Sequence, residues 1–237
     1  MTVPDILAEL DALGSPANVA GMERFAIVTS KVFGIPAPVL KSYAKEIKKK
    51  AKDRHTLALE LWETGVYEAR AVAFLIDDPK QVTREQMNAW ATDFDNWATV
   101  DGACGYLFCR TPHAYEMAVE WAGRDEEFIM RAGFSLIAYL AVHDKKAADD
   151  KLAAFLPLIE RHADDDRNFV KKAVNWALRQ IGKRSIDLNA LAIAAADRIK
   201  QQDTKSARWI AADALRELNG EAVQKRLNEK QTKRRAA

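Results

Sequence analysis

Cysteine is scarce in this sequence. The chain of 237 residues contains two cysteines, Cys104 and Cys109, which lie five residues apart in a helical pattern. Such a pair neither builds a disulfide framework nor has the short spacing of zinc ligands. The four histidines are scattered, without a cysteine or carboxylate at metal-binding spacing. We therefore expect a protein of a reducing compartment with no bound metal.

Long apolar runs and nucleotide-binding loops are missing as well. No stretch approaches the roughly 20 apolar residues of a membrane span, and the first residues are acidic where a signal peptide would be basic. Glycine-rich phosphate loops, nucleophile elbows and kinase motifs are absent. With only 10 glycines and 7 prolines, the chain is not a collagen-like or low-complexity sequence. These absences predict a cytoplasmic folded protein without a cofactor or a membrane partner.

A bulk excess of charge is also lacking. The net charge is +2, and residues 221–237 hold six basic and two acidic residues, so residues 1–220 sum to −2. A nearly neutral body can attract nucleic acid only through local patches. Residues 41–54 carry seven basic and two acidic residues, and residues 167–184 carry six basic residues and no acid. The second patch is the stronger candidate for a function.

What the sequence does contain is helical periodicity with internal repeats. Apolar residues recur at spacings of three and four almost throughout, and strand-like alternation is absent, which predicts an all-α protein. Mid-helix segments with a charged residue followed by small residues recur at intervals of 31, 30, 41 and 36 residues. These segments begin at Arg70, Asp101, Arg131, Lys172 and Arg208.

This spacing suits HEAT-like or armadillo-type repeats. We expect an α-solenoid of stacked antiparallel helix pairs with a concave face, the face that the family resemblance assigns to DNA. A single repeat domain would cover residues 1–220, followed by a basic tail, 221–237, that is frayed. A solenoid of this kind with polar ends is expected to be a monomer without an obligate protein partner.

Two interpretations of the recurring charged residues stay open. Equivalent positions on successive second helices of a solenoid line one face, so Arg70, Asp101, Arg131 and Lys172 would form a row on the concave surface. Alternatively, each makes an ordinary ion pair within its own repeat. Periodicity alone does not choose between the two.

One group of residues carries a pattern suited to chemistry. Trp97 and Asp101 lie four residues apart and hence on the same face of a helix. Arg131 belongs to the same row, and Trp176 lies one turn beyond Lys172 on its own helix. One carboxylate between two tryptophans and flanked by cations suits a substrate that is polyanionic along its length and cationic at one point.

From about residue 22 to residue 184 the sequence resembles the AlkD-type DNA alkylation-repair glycosylases of bacteria, which are built of HEAT-like repeats. No single motif would suffice, but five blocks occur in the family's order. These are Val32-Phe33-Gly34-Ile35 with Pro38, Glu60-Leu61-Trp62-Glu63 with Glu68-Ala69-Arg70-Ala71, Trp97-Ala98-Thr99-Val100-Asp101, Phe128-Ile129-Met130-Arg131-Ala132, and Phe169-Val170-Lys171-Lys172-Ala173-Val174-Asn175-Trp176-Ala177-Leu178-Arg179.

The resemblance implies an enzyme that hydrolyses the N-glycosidic bond of N3- or N7-alkylated purines in duplex DNA, as part of base excision repair. It places the catalytic carboxylate on Asp101, the sugar-contacting tryptophans on Trp97 and Trp176, and the phosphate-contacting arginine on Arg131. It also implies that the damaged base stays stacked, in contrast to glycosylases that flip their target base into a pocket.

Further cations are assigned to DNA, and one position departs from the family. Lys171, Lys172 and Arg179 in the second basic patch, together with Arg70, are expected to contact phosphates. The family commonly presents a tyrosine to DNA from an early helix, where this chain has Phe25. A hydroxyl contact is therefore expected to be lost.

The alternative is a noncatalytic HEAT-repeat scaffold that binds DNA or a protein with the same face, because fold alone does not determine function. A scaffold has no need for an acid within a DNA-facing basic surface, whereas catalysis at a sugar requires one. The residues do not distinguish N3-alkyladenine from N7-alkylguanine, or small adducts from bulky ones.

Overall fold

The computed structural model describes residues 2–27, 29 and 31–235 of the chain. Over this part of the chain the regular structure is α-helix with two short 3-10 turns and no strand, as the periodicity predicts. The internal contacts form two compact units, Met1–His113 and Ala114–Ala237, where the sequence predicts a single repeat domain. A repeat in a helical array contacts mainly its neighbours, so contacts within such an array divide into groups of repeats.

The first unit has seven α-helices among its described residues. They are α1 (Val3–Ala12), α2 (Pro16–Met22), α3 (Ala37–Lys50), α4 (Arg54–Glu63), α5 (Tyr67–Ile76), α6 (Arg84–Thr92) and α7 (Trp97–Tyr106). A 3-10 turn, Glu23–Phe25, follows α2 directly. Helix α5 packs against α3, α4 and α7.

The second unit has eight α-helices among its described residues. They are α8 (Ala114–Ala122), α9 (Glu127–His143), α10 (Asp149–Ala153), α11 (Leu156–Arg161), α12 (Asn168–Gly182), α13 (Ile186–Lys200), α14 (Lys205–Leu218) and α15 (Glu221–Arg235). Helix α12 packs against α9, α13 and α14. None of the described helices is both long and apolar enough to cross a membrane.

Several helices begin at residues whose short polar side chains accept hydrogen bonds from the first helical turn. Ser, Thr, Asp and Asn are preferred at this position because they satisfy backbone N–H groups that have no partner within the helix. The capping residues are Thr2, Asp53, Thr83, Asn96, Ser185 and Thr204. Local sequence therefore determines where these helices start.

Small residues allow close helix packing in both units. A Cβ added to Gly102 of α7 would lie 2.3 Å from the ring of Phe74 on α5, and one added to Gly133 of α9 would lie 2.4 Å from the backbone nitrogen of Ala122 on α8. The small residues that follow Asp101 and Arg131 in the repeats thus lie at helix contacts. Each of these charged residues is held close to a neighbouring helix by the residues after it.

The C-terminal segment differs from the sequence prediction. Residues 221–235 form α15 and are not a frayed tail, and residues 236 and 237 lie outside the described residues. Val223 and Leu227 are buried, and the amide of Gln224 donates to the carbonyl of Leu218 at 2.7 Å. The low apolar content of the segment gave no sign of this packing. Two apolar residues one turn apart are nevertheless enough to anchor one face of a helix.

Helical spacing among apolar neighbours predicts that Trp62, Trp90, Trp121 and Trp209 pack in the core or between repeats, and three of the four are buried. Trp62 and Trp90 stack with their ring centroids 4.0 Å apart, and Trp121 is fully buried. Trp209 on α14 is 42% exposed and does not pack in the core. The amino group of Lys171 lies 5.3 Å from the centroid of its ring, a cation–π contact at the surface.

Candidate functional site

Helix α7 begins at the predicted tryptophan and carries the predicted carboxylate one turn later. The side chain of Asn96 caps this helix by accepting hydrogen bonds from the N–H groups of Ala98 and Thr99, at 3.0 and 2.9 Å. Trp97 and Asp101 are both partly exposed. Because Gly102 lies directly against Phe74, the backbone that carries Asp101 packs close to α5.

Trp97 is also fixed by its indole nitrogen. Its Nε1 donates a hydrogen bond of 2.7 Å to the backbone carbonyl of Phe25, in the 3-10 turn after α2. The Phe25 side chain is 68% exposed, and the next residue, Ala26, adopts a left-handed conformation with φ of 54°. The structure thus places Phe25 beside Trp97, a contact over 72 residues of sequence that no local pattern could reveal.

Glu68 organises the loop that leads into α3, a role that sequence reasoning missed. Its fully buried carboxylate accepts hydrogen bonds from the backbone N–H groups of Phe33, Gly34 and Ile35, at 2.9, 2.7 and 3.1 Å. Gly34 has a φ of 80°, which only glycine adopts without strain. The two sequence blocks that contain these residues therefore form one structural unit. The sequence signal for it was Glu68, the one acidic residue of α5.

In the second unit, Arg131 lies on α9 and is nearly buried, with 6% of its surface exposed. Its Nη1 donates a hydrogen bond of 2.8 Å to the carbonyl of Phe169, at the start of α12. The ring of Phe169 in turn packs against Phe128, with centroids 5.5 Å apart. The guanidinium is therefore held in one place by the packed α9–α12 pair.

Trp176 and Lys172 share one face of α12, one turn apart. Trp176 is partly exposed, and its ring meets Tyr139 of α9 edge to face, with centroids 5.0 Å apart and an interplanar angle of 80°. Lys172 is exposed. The second unit therefore presents an indole, held by an aromatic neighbour, and an exposed cation on the same helix face.

A neighbouring face of α12 is turned toward α14. The amide of Asn175 donates to Asp213 at 2.7 Å, and the guanidinium of Arg179 meets Glu217 at 2.5 Å and Asp213 at 3.4 Å. Lys183 also reaches Glu217, at 2.7 Å. The charge of Arg179, which the sequence assigns to DNA, is thus offset by carboxylates of the protein itself.

The pKa of Glu217 reflects this arrangement. Burial acts to raise it, but the hydrogen bond from Lys183 and the charges of Arg179 and Lys183 outweigh burial, so the pKa lies below its usual value. The carboxylate therefore stays ionised, and it keeps both cations oriented toward α14.

Arg70, the fourth cation assigned to DNA, is engaged in a similar way in the first unit. Its Nη2 lies 3.0 Å from Oδ2 of Asp93, and its guanidinium lies 5.0 Å from the ring centroid of Trp62. The indole nitrogen of Trp62 donates to the same Asp93 carboxylate at 2.8 Å. These contacts favour the ion-pair interpretation for Arg70 over a position in an open cationic row.

The predicted site residues therefore fall into two groups. Trp97 and Asp101 share one helix face in the first unit, and Arg131 and Trp176 lie on packed helices of the second unit. Among the residues that the structure describes, no group of three or more His, Cys, Asp or Glu side chains is arranged to hold a metal ion.

Comparison with known proteins agrees with this architecture. Residues 6–218 match a family model described as DNA alkylation repair enzyme. A solved structure described as a new family of proteins related to the HEAT-like repeat DNA glycosylases, with affinity for branched DNA structures, is 22% identical. Its TM-score is 0.74, and the match covers 90% of this chain and 94% of that one.

A second solved structure gives the same picture. It is described as a predicted DNA alkylation repair enzyme from Enterococcus faecalis, and it is 18% identical with a TM-score of 0.64 over 88% of this chain and 97% of that one. No curated protein matches the chain. At these identities the structural likeness shows the fold, which is the HEAT-like repeat fold that the sequence predicts.

Proposed function

Since the chain belongs to the family of DNA alkylation repair enzymes, we propose that it is a DNA glycosylase for N3- and N7-alkylated purines in duplex DNA. The observation that carries the proposal is the Trp97–Asp101 pair on α7. Asn96 caps the start of α7, and the indole of Trp97 donates a hydrogen bond to the carbonyl of Phe25. Gly102, the residue after Asp101, lies against Phe74. A preorganised carboxylate beside an aromatic face is what catalysis at a cationic sugar needs.

The reaction is a hydrolysis with one carboxylate. An N3- or N7-alkylated purine already carries a positive charge, so it leaves with the electrons of its glycosidic bond without prior protonation. The sugar becomes oxocarbenium-like, and the Asp101 carboxylate stabilises this charge and orients water for attack on C1′. The water oxygen bonds to C1′, and the proton that it loses passes to the carboxylate or to solvent.

The tryptophans and Arg131 would position the sugar and the backbone. An indole face attracts a developing cation by about 0.5–2 kcal/mol, and both Trp97 and Trp176 are partly exposed with their rings held by a neighbour. Arg131 would fix the register of the DNA by contact with a phosphate. With the backbone and sugar held in this way, the damaged base can stay stacked in the duplex.

A second candidate function is recognition of DNA structure without catalysis. It is favoured by the solved structure of similar fold whose family is described as having affinity for branched DNA. A binding protein would keep the cations that face DNA, but the Asp101 carboxylate would repel phosphate and contribute nothing. The two functions therefore make opposite predictions for removal of this charge.

The test is release of modified purines from methylated duplex DNA by wild type and by the Asp101→Asn variant. We expect wild type to release 7-methylguanine or 3-methyladenine, and the variant to be slower by about 10²–10³-fold with DNA binding retained. The Asp11→Asn variant, which removes an exposed acid on α1, serves as the matched control and should keep the wild-type rate.

Two results would overturn the proposal. No release by wild type with retained DNA affinity would favour the binding function. Equal release by wild type and Asp101→Asn would place the chemistry at another residue.

A further inference from the structure

A cavity at the C-terminal end of α12 lies apart from every residue assigned to catalysis. Its volume is about 460 Å³, and all of its lining belongs to the second unit. The lining residues are Lys145, Asp149, Arg184, Ser185, Ile186, Asp187, Leu227, Lys230 and Gln231. Lys145 follows α9, Arg184 follows α12, and Lys230 lies on α15, so three separate elements bring cations to one cavity.

Two of these three cations contact backbone carbonyls. Arg184 donates to the carbonyls of Ala141 and Ala147 at 3.2 and 3.1 Å, and Lys230 lies 3.5 Å from the carbonyl of Lys183. Such carbonyls orient a cation without cancelling its charge. Within the described part of the chain, Lys145, Arg184 and Lys230 form no ion pair with a carboxylate.

Lys230 lies close enough to the other cations for their charges to act on its amino group. Burial lowers its pKa, and the charges of Arg226, Lys145 and Arg184 lower it further. An anion between these groups would relieve the repulsion and restore the pKa of the amino group. A bound anion near the three cations of the lining would therefore be favourable.

The two carboxylates of the lining restrict the charge of a suitable anion. Asp149 accepts a hydrogen bond of 2.5 Å from the hydroxyl of Ser185, and Asp187 lies exposed in the first turn of α13. With three cations and two carboxylates, the lining has a formal charge of +1. This charge suits a singly charged phosphodiester better than a phosphate dianion, and the apolar side chains of Ile186 and Leu227 suit the adjoining sugar.

We propose that this cavity binds a backbone phosphodiester of DNA outside the segment that is held for catalysis. Lys172 precedes Gly182, the last residue of α12, by ten residues, which is about 15 Å along a helix. This distance corresponds to roughly four to five base-pair steps at 3.4 Å each. The cavity and the Lys172 face would therefore contact different phosphates.

The proposal rests on the proposed function, because it assumes that DNA is the macromolecule bound. The glycosylase proposal and the cavity proposal can nevertheless be disproved independently of each other. A wild-type protein that binds DNA but releases no base would overturn the glycosylase proposal and leave the cavity open to test. An active glycosylase whose binding does not depend on the cavity would overturn only the present proposal.

The experiment is the salt dependence of binding to a 25-base-pair duplex and to a four-way junction, both without a lesion. We expect the double variant Lys145→Gln/Lys230→Gln to reduce the slope of log Kobs against log salt by about 0.9, the value for one phosphate contact. Affinity at low salt should fall by roughly tenfold, which corresponds to about 1.4 kcal/mol, because the variant loses charged hydrogen-bond donors to the phosphate.

The matched control is Lys80→Gln/Lys200→Gln, which removes the same charge from two exposed lysines outside the cavity. It should leave the slope closer to wild type, and thermal unfolding of all three proteins should confirm that each is folded. An equal loss of slope in both double variants would show a general charge effect and overturn the proposal. An unchanged slope in the cavity variant would overturn it as well.

A free phosphate is distinguished from DNA backbone by a second measurement. Inorganic phosphate is added at about 1–10 mM, and the unfolding temperatures of wild type and the cavity variant are compared. Stabilisation of wild type alone, combined with an unchanged DNA salt slope, would assign the cavity to a free phosphate and overturn the DNA assignment.

Discussion

At the scale of single residues, cations that look equivalent in the sequence have different partners in the structure. Lys171 and Lys172 are adjacent, yet the first lies over the ring of Trp209 and the second is exposed on the face of Trp176. Consecutive residues of a helix point about 100° apart, so one of two neighbours can face a packed helix while the other faces solvent. Arg179 is turned toward α14 and paired with Glu217.

These environments predict different effects on DNA binding. Lys172→Gln should reduce the salt slope of binding by about 0.9, since it removes an exposed charge that can replace counterions on a phosphate. Arg179→Gln should leave the slope nearly unchanged, because Glu217 already offsets that charge. Fluorescence anisotropy with a lesion-free duplex between 50 and 200 mM salt measures both. The reverse order of effects would mean that Arg179 leaves Glu217 to contact DNA.

At the scale of helices, small buried contacts decide which segments are fixed. Gly102 sets α7 against α5, and the carboxylate of Glu68 holds three backbone N–H groups of the loop before α3. Helix α15 is docked by Val223 and Leu227 although most of its surface is charged and exposed. A segment of low apolar content is therefore ordered when its few apolar residues fall on one face.

Helix α15 supplies a stability prediction. Leu227→Ala should lower the free energy of unfolding by about 2–5 kcal/mol, because the side chain is 1% exposed and its removal leaves a cavity. The neighbouring Arg226→Ala removes an exposed side chain and should change stability by less than about 0.5 kcal/mol. Urea unfolding of the full chain compares them. Equal stability of Leu227→Ala and wild type would show that this segment is frayed, as the sequence suggests.

At the scale of the whole molecule, the family match from residue 6 to residue 218 spans both compact units. The net charge is only +2. Some cations, such as Arg70 and Arg179, are paired with carboxylates of the protein. The cations assigned to DNA or to the cavity that form no described ion pair include Lys172 and the cavity group of Lys145, Arg184 and Lys230. DNA binding is therefore expected to depend on a few sites, not on the overall field.

The ion pairs also make global stability depend on pH. The pKa of Glu217 is lowered in the folded protein, so its contribution is fully present above the unfolded value of 4.5 and is lost as pH falls through the folded pKa. Glu217→Gln should lower the unfolding temperature by a few degrees at pH 7, and this difference should shrink below pH 4.5. The exposed Glu221→Gln is the control, and a difference that persists at pH 2–3 would contradict the prediction.

The sequence by itself determined the helical class, the starts of several helices and the position of Trp97 and Asp101 on one helix face. These depend on local chemistry, namely apolar periodicity, capping side chains and a four-residue spacing. The HEAT-like fold followed from repeat spacing together with a family resemblance, since each repeat is a local unit. Burial of Trp62, Trp90 and Trp121 followed from the same periodicity.

Only the tertiary structure decided which partner each polar or amphipathic side chain meets. The bond between Trp97 and Phe25, the cradle that Glu68 forms, and the pairing of Arg179 with Glu217 join residues that are 33 to 72 positions apart. Exposure of Trp209 depends in the same way on helix packing. Hydrogen bonds and ion pairs act over a few ångströms in space, so their partners are set by how helices pack and not by the order of residues along the chain.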